Sequence, residues 1–163
     1  MSKTGAPRLA VDAIGARIVI VASQWHETVM DGLIAGAMRA LETARVADVS
    51  VVRVPGSFEL PVVAQAHAEA GADAVIALGV IIRGQTPHFD YIASATTDAL
   101  MRVSTDTRVP VGFGVLTCED DSQARDRAGL PGSREDKGRE AAEAALFVLQ
   151  TLGAVNRPAE AHD

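Results

Sequence analysis

Four short apolar segments rich in β-branched residues recur along this chain, and each gap between them carries a helical pattern. The segments are residues 17–22 (RIVIVA), 50–54 (SVVRV), 74–82 (AVIALGVII) and 111–116 (VGFGVL). They mostly lack polar/apolar alternation and are bounded by Gly, Pro or charge, as strands covered on both faces are. In the gaps, residues 26–45 repeat Val29, Leu33, Ala37 and Leu41 at every fourth position, with Ile34 beside them. Residues 61–70 form a shorter helical pattern ended by Gly71, and residues 87–105 one with Thr86 as N-cap and Pro87 at the first helical position. Asp120 with Gln123 resembles a capping box for a short helix ending near Gly129. Residues 137–152 place Ala141, Ala145, Val148 and Leu152 on one stripe. Gly32 and Gly36 cost helix propensity, so close backbone packing is expected there. Alternation of this kind through the whole chain predicts an α/β fold, a four-stranded parallel sheet with helices on both faces.

At 163 residues the chain has the length of one domain and should bury roughly 68–70% of its unfolded surface, so no disulfide or metal is needed to hold a core. Cys118 is the only cysteine, which excludes an internal disulfide framework and a Cys-rich zinc site and fits a reducing compartment. Fifteen Lys and Arg against 21 Asp and Glu leave a formal charge of −6. That balance argues against nucleic acid or an acidic membrane as partner but not against a local basic pocket for a small anion. Apolar runs stop short of a bilayer span, and no signal-type apolar stretch precedes Arg17. The expectation is a soluble, cytoplasmic protein with a flexible segment at residues 1–15, one domain at 16–153 and a disordered tail at 154–163.

In open parallel sheets ligands bind beyond the carboxyl ends of the strands, and polar residues cluster after each predicted strand. The first is followed by Ser23-Gln24-Trp25-His26, where the only tryptophan reads either as a rim residue half-covering a core edge or as a platform for a planar ring. The second is followed by Pro55-Gly56-Ser57-Phe58-Glu59. There Glu59 suits ordinary interaction with a helix start, and equally the hydroxyls of a polyol. The third is followed by Arg83-Gly84-Gln85-Thr86-Pro87-His88, a glycine loop opening a helix, which suits a phosphate without any Walker lysine. His88 in the first turn reads as a solvent-facing residue or as a proton carrier near neutral pH. After the fourth come Thr117, Cys118 and the acids Glu119, Asp120 and Asp121, then Arg127, Arg134, Lys137 and Arg139. Those cations are either a solvated surface or partners for phosphate. Cys118 makes a poor nucleophile among acids, and His26, His67, His88 and His162 show no metal-ligand spacing. The residues alone thus describe an α/β protein that binds a phosphorylated small molecule.

Three separated motifs, RVPGSFELP at 53–61, ALGVIIRGQTPHFDY at 77–91, and FGVLT with DRAG and DKG between 113 and 138, together resemble the 6,7-dimethyl-8-ribityllumazine synthase family, in order from about Ala16 to Leu152. The resemblance implies a flavodoxin-like three-layer α/β/α fold. It also implies a transferase that joins a ribityl-pyrimidine to a phosphorylated ketone in riboflavin biosynthesis, with no cofactor and no metal. It assigns the pyrimidine platform to Trp25, with His26 at a position often held by asparagine. Ser57 and Glu59, with Phe58 between them, fall on the ribityl-binding positions, and Val80, Ile81 and Ile82 on the ring site. Gly84, Gln85 and Thr86 match the phosphate loop, His88 the proton-transfer residue and Arg127 the phosphate partner. Phe113, Arg127 and Lys137 match residues that a neighbouring subunit contributes, which implies a homopentamer with active sites at subunit interfaces. Riboflavin synthase is implied as a partner protein. After DRAG, the seven residues Leu130 to Asp136, the last of them opening DKG, exceed the linker typical of shell-forming members, which points to a free pentamer. The rival readings are a non-catalytic flavin or lumazine binder on the same fold and a flavodoxin-type domain. Flavodoxins carry their phosphate loop after the first strand, where Ser23-Gln24-Trp25-His26 makes a poor one.

Overall fold

A computed structural model describes residues 12–155. The strands are β1 (Arg17–Ser23), β2 (Asp48–Val54), β3 (Ala74–Ile82) and β4 (Val111–Cys118). The helices are α1 (Glu27–Thr43), α2 (Leu60–Glu69), α3 (His88–Thr107), α4 (Asp121–Arg125) and α5 (Lys137–Val155), with a 3-10 turn at Ser57–Glu59. The sheet is fully parallel in the order β2-β1-β3-β4. Pleating splits β3 between two cores. Ala74, Ile76, Leu78 and Val80 pack with α1 and α5 on one face. Val75, Ala77 and Ile81 pack with α2 and α3 on the other. This is the three-layer α/β/α arrangement expected from the strand–helix alternation.

Covering on both faces holds for β1 and β3 but not for the two edge strands. β2 pairs with β1 alone, and Ser50 and Val51 are open, the latter 44% exposed. On β4, Phe113 and Thr117 are open. Several local expectations are also corrected. Thr86 does not cap α3: the helix starts at His88, with Pro87 in the cap position and no side-chain hydrogen bond there. The box at α4 is spread over one more residue than expected. Asp120 accepts the Gln123 N–H at 2.8 Å, while Gln123 Oε1 accepts the Glu119 N–H at 3.1 Å. α4 stops at Arg125 because the next residues pair with the segment before α5, Glu135 N–H to Asp126 O at 3.0 Å and Lys137 N–H to Arg127 O at 2.9 Å. On α5 the buried stripe centres on Ala142 and Leu146, which turns Val148 outward to 45% exposure. α5 runs through Val155, two residues into the expected tail, and residues 12–15 are anchored through Ala13 N–H to Ala44 O at 3.0 Å and an Asp12–Arg45 ion pair. The rest of the expected tail, and residues 1–11, lie outside the described residues.

The close packing expected at Gly32 and Gly36 is present. A Cβ on Gly32 would overlap the Ala128 carbonyl, and one on Gly36 the Asp136 carboxylate. α5 contributes Gly138, where a Cβ would overlap the Leu33 carbonyl of α1. Gly153, later on α5, meets no atom within 4 Å. Gly138→Ala should therefore lower the denaturation midpoint by the equivalent of about 1–3 kcal/mol. Gly153→Ala should be neutral or gain up to about 1 kcal/mol from helix propensity. Equal midpoints for the two variants in urea would refute the tight α1–α5 approach.

Candidate active site

Beyond the ends of β2, β1 and β3 the chain builds one rim. At its middle, the Arg53 guanidinium donates to Ser23 O at 2.9 Å and Gln24 N–H to Pro55 O at 3.4 Å, tying the two neighbouring loops together. His26 then takes a left-handed conformation, φ 61°, before α1 begins. Histidine, like asparagine, tolerates that region better than most residues, which explains how it stands at a position often asparagine in the family it resembles. Trp25 is 68% exposed in the single chain. It covers no core edge, so its ring is open to a ligand. A Cβ on Gly56 would lie 3.9 Å from the indole, so platform and turn are neighbours.

In that turn Gly56 N–H donates to Glu59 Oε2 at 2.9 Å, the ordinary structural role foreseen for this carboxylate. Ser57 is buried, and its Oγ has no hydrogen-bond partner among the described residues, while its carbonyl accepts the Thr96 hydroxyl at 3.3 Å. Gly79 on β3 makes room for it, since a Cβ there would come within 2.6 Å of Ser57 Oγ. Phe58 is exposed. Val80 and Ile81 are buried in opposite cores, so contact with a ring at the rim falls to their backbone and to half-buried Ile82.

One strand over, Gly84, Gln85, Thr86 and His88 are exposed. A Cβ on Gly84 meets nothing within 4 Å, so the chain's own packing does not require this glycine. The backbone N–H groups of Gly84, Gln85 and Thr86 find no acceptor among the described residues, and α3 opens immediately after them. Free donors beside a helix start are what an anion needs. Arg83, just before the loop, is engaged with Glu119 and Asp90, and Arg134 with Asp126. Arg127 differs. Its guanidinium donates to the Gln123 carbonyl at 2.9 Å and has no carboxylate partner among the described residues.

Phe113, Arg127 and Lys137 lie elsewhere. They share a groove of about 520 Å³ along the outer edge of β4, with Thr117 and Glu140. Phe113 stands level with Ala77, five residues before the end of β3 and so roughly 16 Å below the rim. The chain therefore holds its candidate residues in two groups. Burial works against the Lys137 ammonium, but hydrogen bonds to Glu135 and Glu140 outweigh it and hold its pKa above the usual lysine range. The Lys137 contact in turn keeps the Glu135 carboxyl below its usual range. Burial pushes the Cys118 thiol up; Arg127 opposes this, and Asp120 and Glu119 reinforce it. Among the described residues no group of three or more His, Cys, Asp or Glu is placed to hold a metal. No helix among them is long and apolar enough to cross a membrane.

The partnership of Arg83 with Asp90 and Glu119 escaped the sequence reading. The register Ile82↔Cys118 makes Arg83 and Glu119 the first residues past two paired strand ends, and that signal becomes visible only once the strands are aligned.

A parallel sheet with helices on both faces, and with open backbone donors and an exposed indole on its carboxyl rim, defines a three-layer α/β protein whose candidate site lies at that rim. The sequence profile described as 6,7-dimethyl-8-ribityllumazine synthase matches residues 15–153, and the chain belongs to that family. A relative of that name from Leifsonia xyli subsp. xyli is 61% identical over 157 residues, 95% of this chain and 99% of its own. Others of that name are 55% identical in Streptomyces coelicolor (97% and 99% covered) and 60% in Nocardioides sp. (93% and 95%).

A buried thiol with a raised pKa holds little thiolate near neutrality. Cys118 should react with a disulfide reagent at pH 7.5 at least ~10-fold more slowly in the native protein than in urea, speeding up as pH rises. Native labelling at the unfolded rate would contradict its burial.

Proposed function

We propose that this chain condenses 5-amino-6-(D-ribitylamino)uracil with 3,4-dihydroxy-2-butanone 4-phosphate. The products are 6,7-dimethyl-8-ribityllumazine, phosphate and water, a transferase step of riboflavin biosynthesis. The observation that carries this reading is that one rim offers both kinds of recognition side by side. An exposed indole lies beside the Ser57–Glu59 turn, and one strand over an open glycine loop leads into a helix. Trp25 would stack the pyrimidine, Phe58 and Ile82 flank it, and Ser57 and Glu59 receive the ribityl hydroxyls. The second carboxylate oxygen of Glu59 is free to do so, whereas the Ser57 hydroxyl is unpartnered but enclosed beneath the turn. Gly84, Gln85 and Thr86 take the phosphate through backbone donors.

The chemistry then needs little beyond placement. An amine adds to the ketone, water leaves to give an imine, phosphate is eliminated, and the second amine closes the ring on the carbonyl so formed with loss of a second water. Holding the two reactants together supplies much of the acceleration. His88, exposed in the first turn of α3 beside the loop, carries protons between these steps. Arg127 stabilises the departing phosphate. In the single chain Arg127, Lys137 and Phe113 share the groove along the open β4 edge, with Phe113 well below the rim, which supports a site completed by a neighbouring copy. We assign a homopentamer, with the lumazine synthase-like domain at residues 16–153, a cytoplasmic location and riboflavin synthase as the partner acting on the product. Nothing favours a non-catalytic binder: a ligand without phosphate has no use for the open loop and the unpaired Arg127.

Mixing the parent protein with both substrates should produce the lumazine chromophore, and its absence would refute the assignment. His88→Ala should lower kcat with pyrimidine binding retained. Proton transfer typically supplies ~10²–10⁴-fold, and the loss should sit at or below the low end because the substrates react unaided. Arg127→Ala should instead raise KM for the phosphorylated ketone roughly 10–150-fold, the equivalent of about 1.5–3 kcal/mol for a charge-assisted contact. Unchanged kcat in the first or unchanged inhibition by inorganic phosphate in the second would remove the assigned role.

Assembly is tested by light scattering coupled to size exclusion. Pro131, Gly132 and Arg134 of the linker between DRAG and DKG are exposed and project from the fold, where packing of pentamers into a shell needs a free surface. Five subunits of 17.0 kDa give about 85 kDa. A peak near that mass is expected, as soluble homo-oligomers favour closed cyclic symmetry, whereas a megadalton peak would overturn the linker argument alone.

A further inference from the structure

We propose that Arg83 is a positioning residue for the phosphate loop, resting on the function proposed above: it sets phosphate affinity by clamping both ends of residues 84–87, without touching the phosphate. Its guanidinium is addressed by three side chains from two elements at once. Nε donates to both carboxylate oxygens of Glu119, at 3.1 and 2.9 Å, just past the end of β4. Nη1 reaches both oxygens of Asp90, at 3.3 and 3.4 Å, in the first turn of α3. The guanidinium carbon stands 4.1 Å from the centroid of the Phe89 ring, also in that turn. On the backbone, Arg83 N–H donates to Cys118 O at 2.9 Å, carrying the β3–β4 pairing one residue further.

The loop is therefore held at its start by the Arg83 backbone and at its finish by the Arg83 side chain. Between these anchors the N–H groups of Gly84, Gln85 and Thr86 have no acceptor among the described residues, so nothing else in the chain fixes where those donors aim. The clamp also has an electrostatic side. Asp90 lies in the turn that would serve the anion, and Glu119 stands beside it. Unmasked, two carboxylates would oppose a phosphate there. Only a planar fork addresses two carboxylates and a ring face together; an ammonium supplies the charge without that geometry. Exposed ion pairs add little to global stability, so removal of Arg83 should leave the fold standing and act on the loop alone.

The test compares the parent full chain with Arg83→Lys and Arg83→Met, varying each substrate in turn and titrating inorganic phosphate. Arg83→Met should raise KM for the phosphorylated ketone and the inhibition constant for phosphate ~10-fold or more. KM for the pyrimidine should stay within roughly twofold. Arg83→Lys should fall between, charge without fork, and it keeps the test open if Arg83→Met fails to fold. A parallel rise in both KM values, or no change in either, would overturn the proposal, the first pointing to a general structural role. If the parent does not turn over the two substrates, the proposed function fails instead. Calorimetric binding of inorganic phosphate to the same three proteins still decides the role of Arg83.

Discussion

A parallel strand has no local partner: β3 can pair with β1 and β4 only if the chain leaves the sheet and returns through a long crossover, and each of its apolar faces must then be covered. Its burial runs unbroken from Ala74 to Ile81. Half of that run faces α1 and α5, the other half α2 and α3. Because every strand points the same way, every strand ends on one rim, and the loops that leave the rim are the only ones free of crossover packing. Polar loops after Ser23, Val54, Ile82 and Cys118 are thereby gathered by topology rather than by any attraction among them. The rim exists because β3 is covered twice.

The second group of residues depends on a different constraint. Gly36 and Gly138 let α1 and α5 approach until backbone meets backbone, and Gly32 admits the Ala128 carbonyl of the segment before α5. That approach seats Asp136 against α1, where it pairs with Arg39 at 2.7 Å and accepts the Arg139 N–H at 3.0 Å, capping α5. Asp136 in turn fixes the short antiparallel pairing that joins Arg127 to Lys137. Arg127 and Lys137 are thus placed by helix packing on one face of the sheet, and Trp25, Ser57 and Gly84 by strand ends. Two independent constraints thus position the two groups of candidate residues, so a substitution in the α1–α5 seam can shift one group without altering the rim.

How far the sequence foretells this differs by interaction range. Strand cores were readable to within two residues, because β-branched runs such as residues 74–82 are fixed by burial on both faces. The expected Ala74–Ile82 strand is present end for end. Sequence failed where a long-range partner overrides local preference. Residues 126–129 leave the α4 helix for pairing with residues 135–137. Val148 fits a helical stripe but lies off the one that α1 and β3 select. Edge exposure on β2 is a property of strand order, which no single segment encodes. At the site, residue types at strand ends were legible, as was a role for Glu59 at a helix start, though not its bond to the Gly56 N–H. The Arg83–Asp90–Glu119 clamp was not, since one of its members lies 36 residues away from the arginine.

An acidic chain that handles phosphate must prevent its own charge from excluding the ligand. Within the described residues the cations of this region are mostly spent on nearby acids: Arg125 on Asp121, Arg134 on Asp126, Lys137 on Glu135 and Glu140, and Arg139 on Glu143. Those pairs remove repulsion more than they create attraction, because exposed pairs contribute little on their own. Attraction is left to neutral groups, the backbone donors of residues 84–86 and the positive end of α3, together with Arg127, whose charge is met only by a carbonyl dipole. Neutral donors discriminate by geometry at short range and bring little long-range field. Donors of this kind suit an anion already held in register with the rim. The Arg127 guanidinium, with no carboxylate partner among the described residues, lies along the open β4 edge.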